Sequence, residues 1–262
     1  MIKSAAIFAL DSYYLVRTPH SASRKFSLWF NLIHPSEKML GFRISSFRRT
    51  TLAYLYREIF ARQNYLFQAG NDSPVIFDCG ANLGMATLYF KWLYPKARIE
   101  AFEPDPTTFE LLEKNVSSNH LTDVIANNCA LWDGNGSVDF FVDSVNPGSL
   151  RMSTDLSRNG GKRIQVASRK LSEFVQGQVD FLKLDVEGAE QRVLCDLVTS
   201  GKIKFIREMA IEYHHHIGKQ RSCLANFLRL LEDSGFEYQI QASLFQASSK
   251  GIFQDVLIRA YR

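Results

Sequence analysis

Between Val75 and Asp185 the chain alternates short, mostly apolar runs with amphipathic stretches, and this alternation limits its possible folds more than any other feature of the sequence. Apolar runs at 75–78, 99–102, 124–131, 138–142 and 179–185 are too short for helices and lack the polar alternation of a half-wet strand. Residues 85–93 and 106–115 between them repeat their apolar positions at helical spacing. Strands apolar on both faces, separated by helices, predict a doubly wound α/β domain with a mostly parallel sheet covered on both sides. A polar loop is expected over 143–162.

The last third adds a strand near 208–213, a helix over 223–234, and two runs, 236–244 and 255–260, able to pair as an antiparallel hairpin at one sheet edge. Upstream, residues 46–62 place Leu52, Leu55, Tyr56, Ile59 and Phe60 on one helical face, and the turn-rich segment 69–74 ends that region. The chain is therefore divided into a basic helical appendage or lid, residues 1–64, and a ligand-binding domain, residues 65–262. The appendage holds ten Lys or Arg against three acids, which gives it +7, while the rest of the chain is −3 within a total of +4. Such a segment suits an acidic substrate or an anionic lipid surface, and equally a solvated helical face. No nucleic-acid partner is expected, and a homo-oligomer is compatible with the composition.

No stretch approaches the roughly 20 apolar residues of a membrane span, and 5–10 is too short for the core of a signal peptide. A soluble, cytoplasmic protein is the expectation. The four cysteines form no Cys-x-x-Cys pair and read as reduced core thiols.

The run 75–77 leads into Asp78-Cys79-Gly80-Ala81-Asn82-Leu83-Gly84, after which a helix begins. Glycine permits a sharp turn and a close ligand, and the first amides of a helix favour electron-rich groups. About 20 residues on, Glu103 ends the second apolar run, where a carboxylate accepts the hydroxyls of a ribose. A dinucleotide fold usually asks for Gly-x-Gly-x-x-Gly, and Asn82 replaces the middle glycine. A zwitterionic amino-acid tail suits this loop better, with Asp78 or Asp185 facing its ammonium group.

Three blocks in order, Asp78–Gly84, Glu103-Pro104-Asp105-Pro106 and Lys183-Leu184-Asp185-Val186-Glu187-Gly188-Ala189-Glu190, resemble those of the FkbM-type methyltransferase family over about residues 65–260. The resemblance implies a class I, Rossmann-like methyltransferase fold with seven strands, S-adenosylmethionine as donor, and O-methylation of secondary metabolites or sugars. It implies that Gly80, Ala81, Asn82 and Gly84 follow the donor's methionine portion, that Glu103, with Pro104 beside it, meets the ribose, and that Asn128, Ala130 and Leu131 lie near the adenine.

Alignment of donor and acceptor supplies most of the catalysis in such a transfer, and deprotonation of an alcohol supplies the rest. Asp185 ends one run, while Glu212 and His214 share a face on its expected neighbour. His214 or Asp185 is the expected general base, with Glu212 beside them and Glu187 a second choice. The same Asp185, Glu212 and His214 would make a mixed oxygen and nitrogen metal set, although histidine runs at strand ends are commonly just exposed, and metal independence is the expectation. Lys183 interrupts an apolar run and is expected to pair with Asp185 or Glu187 rather than stand alone. Glu187 and Glu190 also suit a helix start. Loop 147–161, with Gly148, Gly160 and Gly161, and the N-terminal helices are expected to close over a small-molecule acceptor. Tyr65 and Phe67 suit either its wall or the core. An N-methyltransferase, a nicotinamide-dependent oxidoreductase and a non-catalytic scaffold of the same fold are the competing readings.

Overall fold

A computed structural model describes Lys25 and residues 38–143, 145, 147–158, 161–217, 223–242 and 254–262. Most of the basic segment, and Gly160 of the expected loop, lie outside the described residues.

The described chain opens with a two-stranded hairpin, β1 (Lys38–Met39) and β2 (Phe42–Arg43), then helix α1 (Arg49–Leu55), which continues as one π-helical turn, Tyr56–Ala61. The alternating region follows as β3 (Val75–Cys79), α2 (Met85–Leu93), β4 (Arg98–Phe102), α3 (Pro106–Ser118) and β5 (Val124–Asn127). Then come β6 (Ala130–Leu131), β7 (Gly136–Val142), β8 (Lys162–Arg169), β9 (Val179–Leu184), α4 (Glu190–Thr199), β10 (Ile206–His215), α5 (Leu224–Asp233), β11 (Glu237–Ala242) and β12 (Gln254–Tyr261).

Seven strands form the main sheet in the order β11-β12-β10-β9-β3-β4-β5. The five strands from β10 to β5 are parallel, and β12 runs antiparallel to both β10 and β11. The expected parallel sheet with an antiparallel C-terminal pair is therefore present. Side-chain alternation along its strands feeds two cores. Ile76, Ile99 and Phe181 face α2, α3 and the segment Leu52–Ala61, whereas Phe77, Phe102, Leu182 and Ile211 face α4 and α5. Phe67 stacks on Phe181 with ring centroids 4.3 Å apart, tying the chain ahead of β3 to the sheet's middle.

Helix starts follow local chemistry. Asp105 caps α3 by accepting from the Thr108 amide at 2.9 Å, and Pro106 occupies the first turn, where it sacrifices no helical bond.

Two expectations need correction. The apolar run 124–131 is not one strand: β5 closes the main sheet, while β6 leaves it and pairs with β8 in a separate three-stranded sheet, β6-β8-β7. The break falls at Asn127–Cys129, where Asn127 bonds the Glu100 carboxylate at 2.9 Å and Asn128 bonds the Glu103 carbonyl at 2.8 Å, which turns the chain out of the ladder. The polar loop is also interrupted, by a bridge between Phe141 and Ser153 and a single 3-10 turn at Leu156–Arg158. Among the described residues, no helix is long and apolar enough to cross a membrane.

Candidate active site

The carboxyl ends of β3, β4, β9 and β10 open into one cavity of about 620 Å³, a size typical of small-molecule sites. Its first wall is the turn after β3. Gly80 sits at φ +86° and donates to the Phe102 carbonyl at 3.0 Å, and a Cβ there would fall 1.8 Å from the Asp185 carbonyl oxygen. Only glycine lets the turns after β3 and β9 pass this closely. Ala81 and Asn82 continue the wall, and Asn82 holds the left-handed conformation at φ +50°.

Glu103 fixes this turn. One carboxylate oxygen accepts from the Asn82 amide and the other from the Asp105 amide, both at 2.9 Å. Burial pushes its carboxyl up to about 8, against the pull of those two amides toward the ionised form. Glu103, Pro104, Cys129, Ala130 and Leu131 carry the wall onward.

The opposite end is acidic. Asp185, the residue after β9, donates its amide to the Cys79 carbonyl at 3.0 Å and turns its side chain into the cavity. Buried Lys183 donates to the Gly80 carbonyl at 2.7 Å and stands 3.3 Å from Asp78 and 3.4 Å from Asp185. Burial opposes its charge, but Asp185 and Asp78 outweigh that and keep it protonated above the ordinary lysine range. Glu212 also faces the cavity and accepts from the Tyr65 hydroxyl at 3.3 Å; burial, reinforced by Asp185, pushes its carboxyl up to about 8.

Behind these lies His214, fully buried. Its Nδ1 is 2.8 Å from Glu190, and its Nε2 is 3.3 Å from Glu187 and 3.8 Å from both Asp185 and Asp255. Burial alone favours a neutral ring, yet Glu190 and Glu187 overcome it and hold His214 protonated well above the usual range. Burial likewise raises Glu187 to about 7, although His214 and Arg158, whose Nε is 2.9 Å away, pull it down.

The cavity thus brings together Gly80, Ala81, Asn82, Glu103, Pro104, Ala130, Leu131, Lys183, Asp185 and Glu212. Four expected site residues stand behind its wall. Asp78 is wholly buried, bonded to Thr87 at 2.7 Å and paired with Lys183, so of the two acids expected near an ammonium group only Asp185 lines the cavity. Gly84, at φ +91°, starts α2 against Leu112. Asn128 donates its side-chain amide to the Glu103 and Pro104 carbonyls and braces the turn after β4 from behind the cavity wall. His214 stands behind the wall with Nδ1 toward Glu190 and Nε2 nearest Glu187, while Asp185, the other residue expected as base, lines the cavity. Lys183 pairs with Asp185, one of the two alternatives expected of it, and also with Asp78. Tyr65 is wall and Phe67 is core.

Sequence reasoning missed Tyr54, Glu58 and Arg62, which line the cavity from the π-helical turn and the residues around it, and Asp255 and Leu257 from β12. Asp255 was findable, because pairing the last run antiparallel to 208–213 sets it opposite His214.

Residues 78–238 match the model of the methyltransferase FkbM domain, more than half of the chain. The chain belongs to the FkbM methyltransferase family. Among the relatives of this methyltransferase, "Methyltransferase sdnD" of Sordaria araneosa is 30% identical over 216 residues, covering 70% of this chain and 82% of the relative. "31-O-demethyl-FK506 methyltransferase FkbM" of Streptomyces tacrolimicus is 28% identical over 216 residues, covering 70% and 81%. The crystal structure of a methyltransferase FkbM from Methylobacillus flagellatus KT shares the fold at a TM-score of 0.50 and 15% identity, covering 91% of this methyltransferase and 59% of that chain.

Proposed function

We propose that this methyltransferase moves a methyl group from S-adenosylmethionine to a hydroxyl oxygen of a small molecule. One observation carries the reading: the glycine turn and Glu103 share a single cavity with the carboxylates Asp185 and Glu212. The residues fit the donor. Glu103 presents a carboxylate for two hydroxyls, the β6 end offers an apolar shelf for a flat base, and Asp185 stands at the glycine turn to meet an ammonium group. A pyrophosphate fits less well, since Asp185, Glu187, Glu212 and Asp255 all line the far end.

S-adenosylmethionine supplies a methyl group on a positively charged sulfur, open to in-line displacement by an oxygen nucleophile. Asp185 receives the hydrogen bond of the acceptor hydroxyl and takes its proton as the oxygen attacks, with Glu212 beside it to orient that hydroxyl. Lys183 keeps Asp185 in place through its pairing and through the Gly80 carbonyl. Tyr65 holds Glu212, and Ser149 to Met152 with Arg158 cover the acceptor side and exclude water. The 31-O in the name of the Streptomyces relative supports oxygen as the accepting atom.

Calorimetric titration with S-adenosylmethionine, its demethylated product and NAD tests the donor: the first two bind and NAD does not. Binding of NAD alone reverses the assignment. Incubating candidate hydroxylated metabolites with isotopically labelled donor, followed by mass spectrometry, identifies the acceptor.

A further inference from the structure

We propose that Asp185, Glu212 and His214 hold a divalent cation at the acceptor end of the cavity. Each offers one ligand atom, and the three atoms lie within 4.8 Å of one another. Donors held about 2.0–2.2 Å from one ion lie roughly 3 to 4 Å apart. The His214 Nε2 to Asp185 Oδ1 separation of 3.8 Å falls in that range and is too long for a hydrogen bond.

A second, independent feature points the same way. Glu190 fixes the far nitrogen of His214 at 2.8 Å and is itself anchored by the Gly188 amide at 2.9 Å and the Val186 amide at 3.3 Å. A carboxylate locked onto Nδ1 fixes the ring so that Nε2, which now lies 3.3 Å from Glu187, gives up its proton to an arriving ion and presents its lone pair there, as second-shell acids do for metal-binding histidines. The remaining partners leave the right oxygens over. Lys183 approaches Oδ2 of Asp185, so Oδ1 faces His214, and Tyr65 donates to Oε2 of Glu212, so Oε1 is left for an ion. One imidazole with two carboxylates suits a borderline or hard divalent ion such as Mn²⁺.

The inference deepens the proposed function and rests on it only for purpose: an acceptor hydroxyl bound to such an ion loses its proton more readily than one facing carboxylates alone. Two of the three ligands line the cavity, so an ion there meets the acceptor and not the buried core.

The test is electron paramagnetic resonance of Mn²⁺ added to the whole, chelator-stripped chain without methyl donor. The signal of free Mn²⁺ is expected to fall until one ion per chain is bound. Glu212→Gln and His214→Gln are expected to weaken that binding at least about 100-fold, and Glu190→Gln about tenfold, as loss of an outer partner does. Melting curves identify variants that keep the fold, and Asp185→Asn replaces any that do not. A wild-type chain that leaves millimolar Mn²⁺ free overturns the proposal, as does binding unchanged in the folded variants. A chain that binds the ion but transfers no methyl group fails the functional reading alone; one that transfers methyl but binds no ion fails this inference alone.

Discussion

Glu103 is where one side chain does most to define the donor site. Its two oxygens already hold the amides of Asn82 and Asp105, and under the proposed function an incoming ribose shares the same carboxylate. Replacing it with glutamine, Glu103→Gln, removes a charge-assisted contact of about 1.5–3 kcal/mol, so calorimetry is expected to show S-adenosylmethionine bound roughly 10- to 100-fold more weakly. Because burial raises this carboxyl to about 8 in the free protein and the ribose needs its ionised form, donor affinity is expected to climb about tenfold per pH unit up to about 8 and level off above it. Affinity flat from pH 6 to 9 would show that Glu103 is ionised throughout. At Gly80 the constraint is steric. A Cβ 1.8 Å from the Asp185 carbonyl cannot be accommodated without moving β3 or β9, and Gly80→Ala is expected to cost about 3 kcal/mol or more in denaturant unfolding. These residues were legible in the sequence because glycine after an apolar run and an acid about 20 positions on are local signals. The burial of Asp78 and the bracing role of Asn128 were not, since each is decided by partners, Lys183 and the Glu103 carbonyl, that only the folded chain brings near.

Among the elements, the main strands and helices were readable wherever packing follows local pattern. The helix expected over 85–93 is α2 with the same limits, and β9 ends one residue before its expected end. Strand β8 was missed because Lys-Arg-Ile-Gln-Val-Ala-Ser-Arg buries only Val166 and Ser168, too few apolar positions to stand out from a loop. Its partner β6 was hidden inside a longer apolar run. The segment from Ser149 to Arg158 that leans over the cavity is fastened to the end of β9 by Arg158 on Glu187 and by the Ser153 hydroxyl on the Glu187 carbonyl at 2.5 Å. Cutting the first tie with Arg158→Ala is expected to raise KM for the acceptor about tenfold, the effect of about 1.4 kcal/mol, while leaving donor affinity within about twofold. Steady-state kinetics beside donor titration separates the two.

Across the whole molecule, the sheet divides the core in two, and the cavity draws its walls from both sides of that division and from chain segments far apart in sequence, from Tyr54 to Leu257. The N-terminal helices were expected over the acceptor, and Tyr54, Glu58 and Arg62 do line this wall, but which side chains of Leu52 to Ala61 reach it is decided by packing against α2 that the sequence does not display. Phe181 joins the two ends of that arrangement, stacking on Phe67 and meeting Phe90 edge-on at 5.6 Å. Phe181→Ala is expected to lower unfolding free energy by about 3–5 kcal/mol, with donor affinity measured below the melting transition changing less. The sheet's outer flank is assembled against the order of the chain. β12 follows β11 in sequence but sits between it and β10. Until residues 254–261 dock, β11 has no strand to bond within the main sheet and His214 has no Asp255 across from it. Docking of the last strand therefore both joins β11 to the sheet and completes the acidic end of the cavity by adding Asp255 to Asp185, Glu187 and Glu212.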